Sequence, residues 1–156
     1  MKKLSCFIGY DSKEDIAYRV CKYSLLKRST IEVNIFSLKL DELIAKKYYN
    51  RTIDPLASTQ FTYSRFLVPA LMNFQGWAIF CDCDFIFLDD ISKLLQNLDE
   101  RWNWLEGWTS NHNQNNPFAV HYTRGGPWFD EWQDVEFAKE WLNERDEYLS
   151  KKFEIK

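Results

Sequence analysis

Residues 77–88 have the sequence WAIFCDCDFIFL, and this stretch decides the fold prediction. Its first five residues are apolar and are followed directly by Asp82, Cys83 and Asp84, after which the sequence is apolar again. A short apolar segment bounded by polar residues is typical of a buried strand, so we predict a central strand over residues 77–81. Open α/β folds bind ligands at the carboxyl ends of their strands, and the two aspartates fall at such an end.

Upstream of this stretch, the apolar pattern alternates between the periods of a strand and a helix. Residues 4–10 form a short apolar segment, and residues 11–12 supply a polar cap for an amphipathic helix. Residues 31–35 alternate apolar and polar side chains, as a partly exposed or edge strand does. A second helical stripe spans residues 63–74, and Pro69 should bend that helix.

Downstream, the pattern is shorter and more polar. It predicts a helix over residues 91–98, a surface loop over 109–117, and a strand over 118–120. Apolar residues at helical spacing over 135–142 predict a last helix, and we expect the charged residues 144–156 to fray. The alternation of strands and helices predicts an α/β fold, with a mostly parallel sheet flanked by helices in a single domain over residues 1–156.

Composition narrows the class of protein. The chain has 156 residues, of which 46% are hydrophobic and 28% charged, as in one ordinary globular domain. The net charge of −3 gives no field that would attract nucleic acid, and no apolar stretch approaches the ~18 residues of a membrane span. The four cysteines form neither a CxxC pair nor a zinc spacing, so we predict reduced, buried thiols in a cytoplasmic protein.

The acidic pair Asp82 and Asp84 suggests metal chemistry. If both carboxylates face a diphosphate, the repulsion between these anions must be neutralised, and a divalent cation with oxygen ligands does this. The same pair could instead end the strand and cap a turn. A third interpretation, the nucleophile and acid of an aspartate-based phosphatase, is disfavoured because the pair lies mid-chain and the bulky apolar residues 85–87 follow it.

Three blocks of sequence carry a family resemblance. They are residues 7–11 (FIGYD), residues 58–71 (STQFTYSRFLVPAL) followed by residues 77–88, and residues 121–128 (HYTRGGPW). In this order they resemble the opening strand, the Tyr-x-Arg helix with its DxD strand, and the late histidine and glycine motif of glycosyltransferases of the GT-A fold. The resemblance is to the family 8-like group, which uses nucleotide sugars, and it implies a GT-A-like, Rossmann-like domain.

The resemblance implies a metal site and a donor. Asp82, Asp84 and His121 would hold Mn²⁺ or Mg²⁺, which would bridge the two phosphates of a uridine-type sugar donor. A shell of mixed oxygen and imidazole ligands suits Mn²⁺ better than Mg²⁺.

The resemblance also implies contacts to the nucleotide sugar. Tyr10 would stack on the base, and Asp11 would accept hydrogen bonds from the ribose. Arg65 would direct a planar fork of donors toward the phosphates or the sugar. Cys83, between the two aspartates, is counted with these donor-binding residues.

The late motif would complete the donor site, although it departs from the family pattern. Gly125 and Gly126 let backbone amides approach a diphosphate, and Arg124 adds a positive charge. The motif is one residue shorter than usual and lacks the lysine before Pro-Trp. The segment between Asp84 and His121 is also much shorter than in the family, so the domain is predicted to be shortened there.

Together these features predict a metal-dependent transferase that moves a sugar from a nucleotide diphosphate sugar, UDP-linked by resemblance, to a hydroxyl acceptor. Retention of configuration is implied by the family, and no catalytic base or nucleophile can be named. The alternative is a truncated, non-catalytic relative that still binds nucleotide or only folds, and for which a partner chain could replace the missing segment. A homo-oligomer is compatible with either.

Overall fold

The computed structural model of the chain describes residues 3–96, 99–109 and 116–154. Its strands are β1 (Leu4–Gly9), β2 (Val33–Leu38), β3 (Ala78–Cys81), β4 (Phe85–Phe87), β5 (Trp104–Leu105) and β6 (Ala119–His121). Its α-helices are α1 (Asp15–Arg28), α2 (Leu40–Ala45), α3 (Val68–Leu71) and α4 (Ala138–Glu154). Short 3-10 helices lie at Ser12–Glu14, Ser64–Leu67, Ile91–Leu95, Glu100–Asn103 and Asp130–Trp132.

The described strands form two three-stranded sheets. In the first, ordered β2-β1-β3, both pairings are parallel. In the second, ordered β4-β6-β5, β6 pairs antiparallel with β4 and parallel with β5. This mixed α/β architecture with a parallel sheet confirms the predicted class, and β2 is an edge strand as its alternating pattern predicts.

The prediction of a central strand over residues 77–81 was wrong. Among the described strands, β3 pairs only with β1, so β3 lies at an edge and β1 is central. Trp77, at the start of the apolar segment, is 85% exposed. A continuous apolar segment predicts burial on both faces, but burial also depends on which strands pair beside it, and the segment itself does not encode that pairing.

The second helical stripe also differs from its prediction. Instead of one bent helix over residues 63–74, the chain forms the 3-10 helix Ser64–Leu67 and then the four-residue α3. Pro69 lies in the first turn of α3, where its missing N–H breaks no helical hydrogen bond. Phe66 and Phe74 are 75% and 80% exposed, so the stripe does not face the core as a whole.

Two further predictions in the second half of the chain, for residues 144–156 and 91–98, differ from the structure. The segment predicted to fray is helical up to residue 154, as part of α4. The helix predicted over 91–98 is the 3-10 helix Ile91–Leu95, and residues 97–98 lie outside the described residues. Most of the loop predicted over 109–117 also lies outside them.

One part of the core lies between α1, α4 and the second sheet. Val20, on α1, packs in one cluster with Ile86 of β4, Val120 of β6 and Trp141 of α4, and all four are buried. This packing fixes the second sheet against the helices and thereby holds the ends of β4 and β6.

The four cysteines are free and buried, as predicted. Within the described ranges, no helix has the length and apolar character needed to cross a membrane.

Candidate metal centre

The site forms where β3 ends and β6 ends. Asp82 and Asp84 occupy the turn between β3 and β4, and His121 is the last residue of β6. Because β4 and β6 pair antiparallel, His121 lies opposite Phe85. The residue before Phe85 is therefore brought beside the imidazole, and Tyr122 N–H donates to the Asp84 carbonyl 3.1 Å away.

The three side chains converge. His121 Nε2 lies 3.1 Å from Asp84 Oδ1 and 3.7 Å from Asp82 Oδ2. One ligand atom from each of the three side chains lies within 4.8 Å of those of the other two. The side chains remain 19%, 18% and 15% exposed for Asp82, Asp84 and His121, so the centre is recessed but reachable from solvent.

The donor set fits a divalent cation. Asp82 Oδ1 and Asp84 Oδ1 are buried and form no hydrogen bond within the described part of the chain, although Arg65 Nη1 lies 3.3 Å from the first and His121 Nε2 3.1 Å from the second. Buried carboxylate oxygens are costly unless a hydrogen bond or a cation compensates for their lost hydration. Two carboxylates and one imidazole supply the hard oxygen and borderline nitrogen ligands that suit a divalent metal. Asp82, Asp84 and His121 therefore form a cluster that could hold such an ion.

Electrostatics at Asp82 also favour a cation. Burial raises the pKa of the Asp82 carboxyl, and the negative charge of Asp84 raises it further, while Arg65 and His121 act in the opposite direction. The net effect is a pKa above the ordinary value for aspartate. A bound cation would remove this repulsion, because it stabilises both carboxylates in their charged forms.

Arg65 is brought to the same place. Its Nη1 lies 3.3 Å from Asp82 Oδ1, and its guanidinium lies over the rings of Phe61 and Phe80, at 5.3 and 5.2 Å from their centroids. Arg65 also donates from Nε to the Phe61 carbonyl at 3.5 Å. The two rings hold the Arg65 guanidinium beside Asp82. Phe80 lies on β3, whereas Arg65 lies on the 3-10 helix Ser64–Leu67, so the contact joins two elements.

His121 is held by two neighbours that the sequence analysis did not identify. Its ring stacks on Phe85 with centroids 4.2 Å apart and planes inclined by 27°. Its Nδ1 lies 3.1 Å from Oδ1 of Asn103, at the end of a 3-10 helix. A cavity of about 270 Å³, lined mainly by aromatic and aliphatic side chains, borders both His121 and Asn103. No short motif distinguishes Asn103 from the other asparagines in this part of the sequence.

The acidic surroundings extend to Glu14, another residue that the sequence analysis did not identify. Cys83 is buried, and its thiol donates to Glu14 Oε2 at 3.5 Å. Burial and then the charge of Asp84 raise the pKa of Glu14, and burial raises the pKa of Cys83. Cys83 therefore faces Glu14 beneath the turn, where the thiol stays protonated.

Tyr10 and Asp11 already have partners. The Tyr10 hydroxyl donates to Asp15 Oδ1 at 3.0 Å, which raises the pKa of Tyr10. Asp11 is 5% exposed, and its two carboxylate oxygens accept hydrogen bonds from the backbone N–H groups of Lys13 at 2.9 Å and Gln60 at 3.1 Å. Asp11 thus caps the turn after β1 and ties that turn to the segment before Arg65.

Residues 124–126 of the late motif contact other side chains of the protein. Arg124 Nη2 lies 3.1 and 3.0 Å from the two carboxylate oxygens of the buried Glu106. A Cβ at Gly125, whose φ is +136°, would lie 2.6 Å from Trp132 Nε1, and one at Gly126 would lie 2.0 Å from the Trp128 ring. These glycines therefore make room for tryptophan rings, and their contact with a donor remains a prediction.

No family model matches the sequence. The fold is that of a glycosyltransferase: the structure is similar to the crystal structure of the apo-form glycosyltransferase GlyE in Streptococcus pneumoniae TIGR4, with a TM-score of 0.61 and 12% identity. The match covers 97% of this chain and 64% of that chain, so this chain spans less than two thirds of GlyE.

A curated relative defines the family. The sequence is 33% identical to Protein CDI of Arabidopsis thaliana over 231 residues, covering 94% of this chain and 88% of that protein. The chain belongs to the same family as Protein CDI. Because the alignment is longer than this chain of 156 residues, the relative contains segments that have no counterpart here.

Proposed function

We propose that the protein is a metal-dependent glycosyltransferase that transfers a sugar from a UDP-sugar to a hydroxyl acceptor. The observation that carries the proposal is the convergence of Asp82, Asp84 and His121 within a glycosyltransferase fold, with two buried carboxylate oxygens that form no hydrogen bond to the residues the structure describes. The position of the cluster, at the carboxyl end of β3, is where open α/β folds bind their ligands.

In this proposal Asp82, Asp84 and His121 would hold Mn²⁺ or Mg²⁺. The ion would supply Lewis-acid stabilisation of the charge that grows on the departing nucleotide diphosphate. His121 favours Mn²⁺, since an imidazole ligand suits that ion better than Mg²⁺.

Arg65 would contribute a fixed positive charge to the same leaving group. Its guanidinium is held by two aromatic rings and by the Asp82 carboxylate, so the side chain has little rotational freedom left to lose when the donor binds. The planar fork of donors on Arg65 would suit a phosphate oxygen of the leaving group.

Contacts of Tyr10 and Asp11 with the donor are also proposed. Tyr10 keeps an exposed share of its ring for a base, although its hydroxyl is bonded to Asp15. Asp11 would have to exchange one of its two backbone partners to accept a ribose hydroxyl. A retaining outcome and a cytoplasmic location are also proposed, the first from the family resemblance and the second from the reduced cysteines.

The test is turnover of UDP-sugars. Purified protein is incubated with a panel of UDP-sugars and Mn²⁺, and release of UDP is followed with and without EDTA. We expect slow, EDTA-sensitive hydrolysis of at least one donor, and its loss in Asp84→Asn but not in Asp134→Asn, a matched change at an exposed aspartate outside the cluster. Metal-dependent binding of UDP without any turnover would instead favour a non-catalytic nucleotide-binding protein.

A further inference from the structure

We propose that Asn103 is a positioning residue, which fixes the tautomer and orientation of His121 so that Nε2 is the nitrogen available to a metal. The inference rests on the proposed function, in which His121 is a metal ligand. Nothing in the sequence motifs assigns a role to Asn103, and its placement beside the imidazole comes from the way two strands pair.

Strand pairing brings Asn103 to His121. Asn103 immediately precedes β5, and Leu105 of β5 is in register with His121 of β6. The Glu106 backbone N–H also donates to the His121 carbonyl at 3.0 Å, which holds the two segments together. The distance of 3.1 Å between Asn103 Oδ1 and His121 Nδ1 is therefore supported by a backbone ladder, although Asn103 itself is exposed.

The two ring nitrogens face different partners. Nδ1 faces the amide of Asn103, while Nε2 faces the carboxylates of Asp84 and Asp82, at 3.1 and 3.7 Å. Stacking on Phe85 fixes the plane of the ring, and the contacts of Nδ1 and Nε2 select one of its two orientations about the Cβ–Cγ bond. The imidazole thus contacts an amide through one nitrogen and the acidic pair through the other.

The amide oxygen of Asn103 favours the tautomer that carries its proton on Nδ1, against the pull of Asp84 Oδ1 on the other nitrogen. A neutral imidazole has one N–H, and a carbonyl oxygen can only accept, so Asn103 Oδ1 stabilises the proton on Nδ1. The lone pair of Nε2 is then free to bind a metal. Without that acceptor, Asp84 Oδ1 would draw the proton to Nε2, where the proton would compete with the metal. Metal-bound histidines commonly have such a partner on their second nitrogen.

Nitrogen NMR reads the tautomer directly and needs no metal. The chain has two histidines, so a His112→Gln background leaves the His121 ring alone in the long-range ¹H–¹⁵N spectrum. Spectra are recorded over a series of pH values, and the neutral form of the ring is compared between proteins. We expect a protonated, pyrrole-type Nδ1 in the protein with Asn103, and an unprotonated, pyridine-type Nδ1 in Asn103→Leu. In Asn103→Asp, which keeps an acceptor at this position, we expect Nδ1 to stay protonated.

Metal affinity provides the second measurement. Calorimetric titration with Mn²⁺ alone should show at least about tenfold weaker binding in Asn103→Leu, as is usual when the partner of a metal-bound histidine is removed. Asn103→Asp should restore the affinity. Thermal unfolding should stay the same in all three proteins, because Asn103 is exposed, and this separates positioning from a loss of stability.

The outcomes distinguish the two proposals. If the unaltered protein binds no Mn²⁺, the proposed function fails, while the state of Nδ1 still decides whether Asn103 sets the tautomer. If it binds Mn²⁺ and Asn103→Leu changes neither the affinity nor the state of Nδ1, the role of Asn103 is overturned and the proposed function stands. An unprotonated Nδ1 in the unaltered protein would also overturn it, because the amide would then be donating.

Discussion

His121 Nε2 lies 3.1 Å from Asp84 Oδ1, although the two residues come from separate parts of the sequence. The contact follows from the antiparallel pairing of β4 with β6, which places His121 opposite Phe85 and thus beside Asp84. An imidazole, a pair of carboxylates and one arginine meet at this point. The site is therefore a product of sheet register as much as of any single motif.

Substitution of Arg65 should weaken binding of the donor without weakening binding of the metal. In Arg65→Gln we expect UDP to bind about tenfold more weakly in the presence of Mn²⁺, equivalent to about 1.4 kcal/mol, because a charged donor to phosphate is lost. Binding of Mn²⁺ alone should not weaken, since a positive charge 3.3 Å from Asp82 has been removed. Calorimetry with and without UDP checks both. Equal loss of Mn²⁺ and UDP binding would contradict this role.

Asp90 should control part of the acid stability. Burial raises the pKa of Asp90, but hydrogen bonds from Thr30 and Ser92 together outweigh burial and lower it to about 2. The resulting stability is present above the ordinary aspartate pKa near 3.8 and is lost as the pH falls through about 2. We expect Asp90→Asn to reduce the free energy of unfolding by about 1 kcal/mol at neutral pH. Denaturation across pH 2 to 7 should show the two proteins converging at the acid end. A constant difference down to pH 2 would contradict this assignment.

Gly125 should be required by the packing of Trp132 even without a ligand. Its φ of +136° and the position of the Trp132 ring leave no room for a Cβ, so Gly125→Ala should cost about 2 kcal/mol. Gly76→Ala is the matched control, since Gly76 also has a positive φ, but the nearest atom to its Cβ position is Met72 Cε at 4.0 Å. Urea unfolding of the ligand-free proteins provides the measurement. Equal losses in both variants would assign the effect to backbone strain alone.

Glu144 should anchor α4 to α1. Its carboxylate is 6% exposed and lies 2.5 Å from Arg28 Nη2 and 3.2 Å from Lys27 Nζ. Glu144→Ala removes the carboxylate partner of Arg28, while Lys27 keeps its contact with Glu147, and we expect a loss of about 2 kcal/mol in the free energy of unfolding. Glu140→Ala, a change at an exposed position of the same helix, should have little effect. A small effect at both positions would indicate that α4 does not dock through Glu144.

Local patterns predicted a large part of the fold. The strand at residues 4–10, the helix capped after Gly9 and the edge character of residues 31–35 follow from periodicity and capping chemistry, which depend only on neighbouring residues. The exposed Trp77 and the divided helix around Pro69 were not predicted, because they depend on which strand pairs beside β3 and on how the chain turns after α3.

The site was predictable in part. The acidic pair is visible in the sequence, and the family resemblance associated His121 with it. The contacts of Asn103 and Glu14 were not predictable, since both depend on long-range packing around the turn at residues 82–84. Contacts of this kind depend on register, which the spacing of residues along the chain does not reveal.

The most direct test of the central claim is calorimetric titration of Mn²⁺ in the presence of UDP, with the unaltered protein, Asp84→Ala and Asp134→Ala. We expect saturable heat in the unaltered protein and in Asp134→Ala, because Asp134 lies outside the cluster. In Asp84→Ala we expect at least about hundredfold weaker binding, equivalent to about 2.8 kcal/mol, since one charged ligand is lost. Equal heats in the unaltered protein and Asp84→Ala would contradict the metal centre.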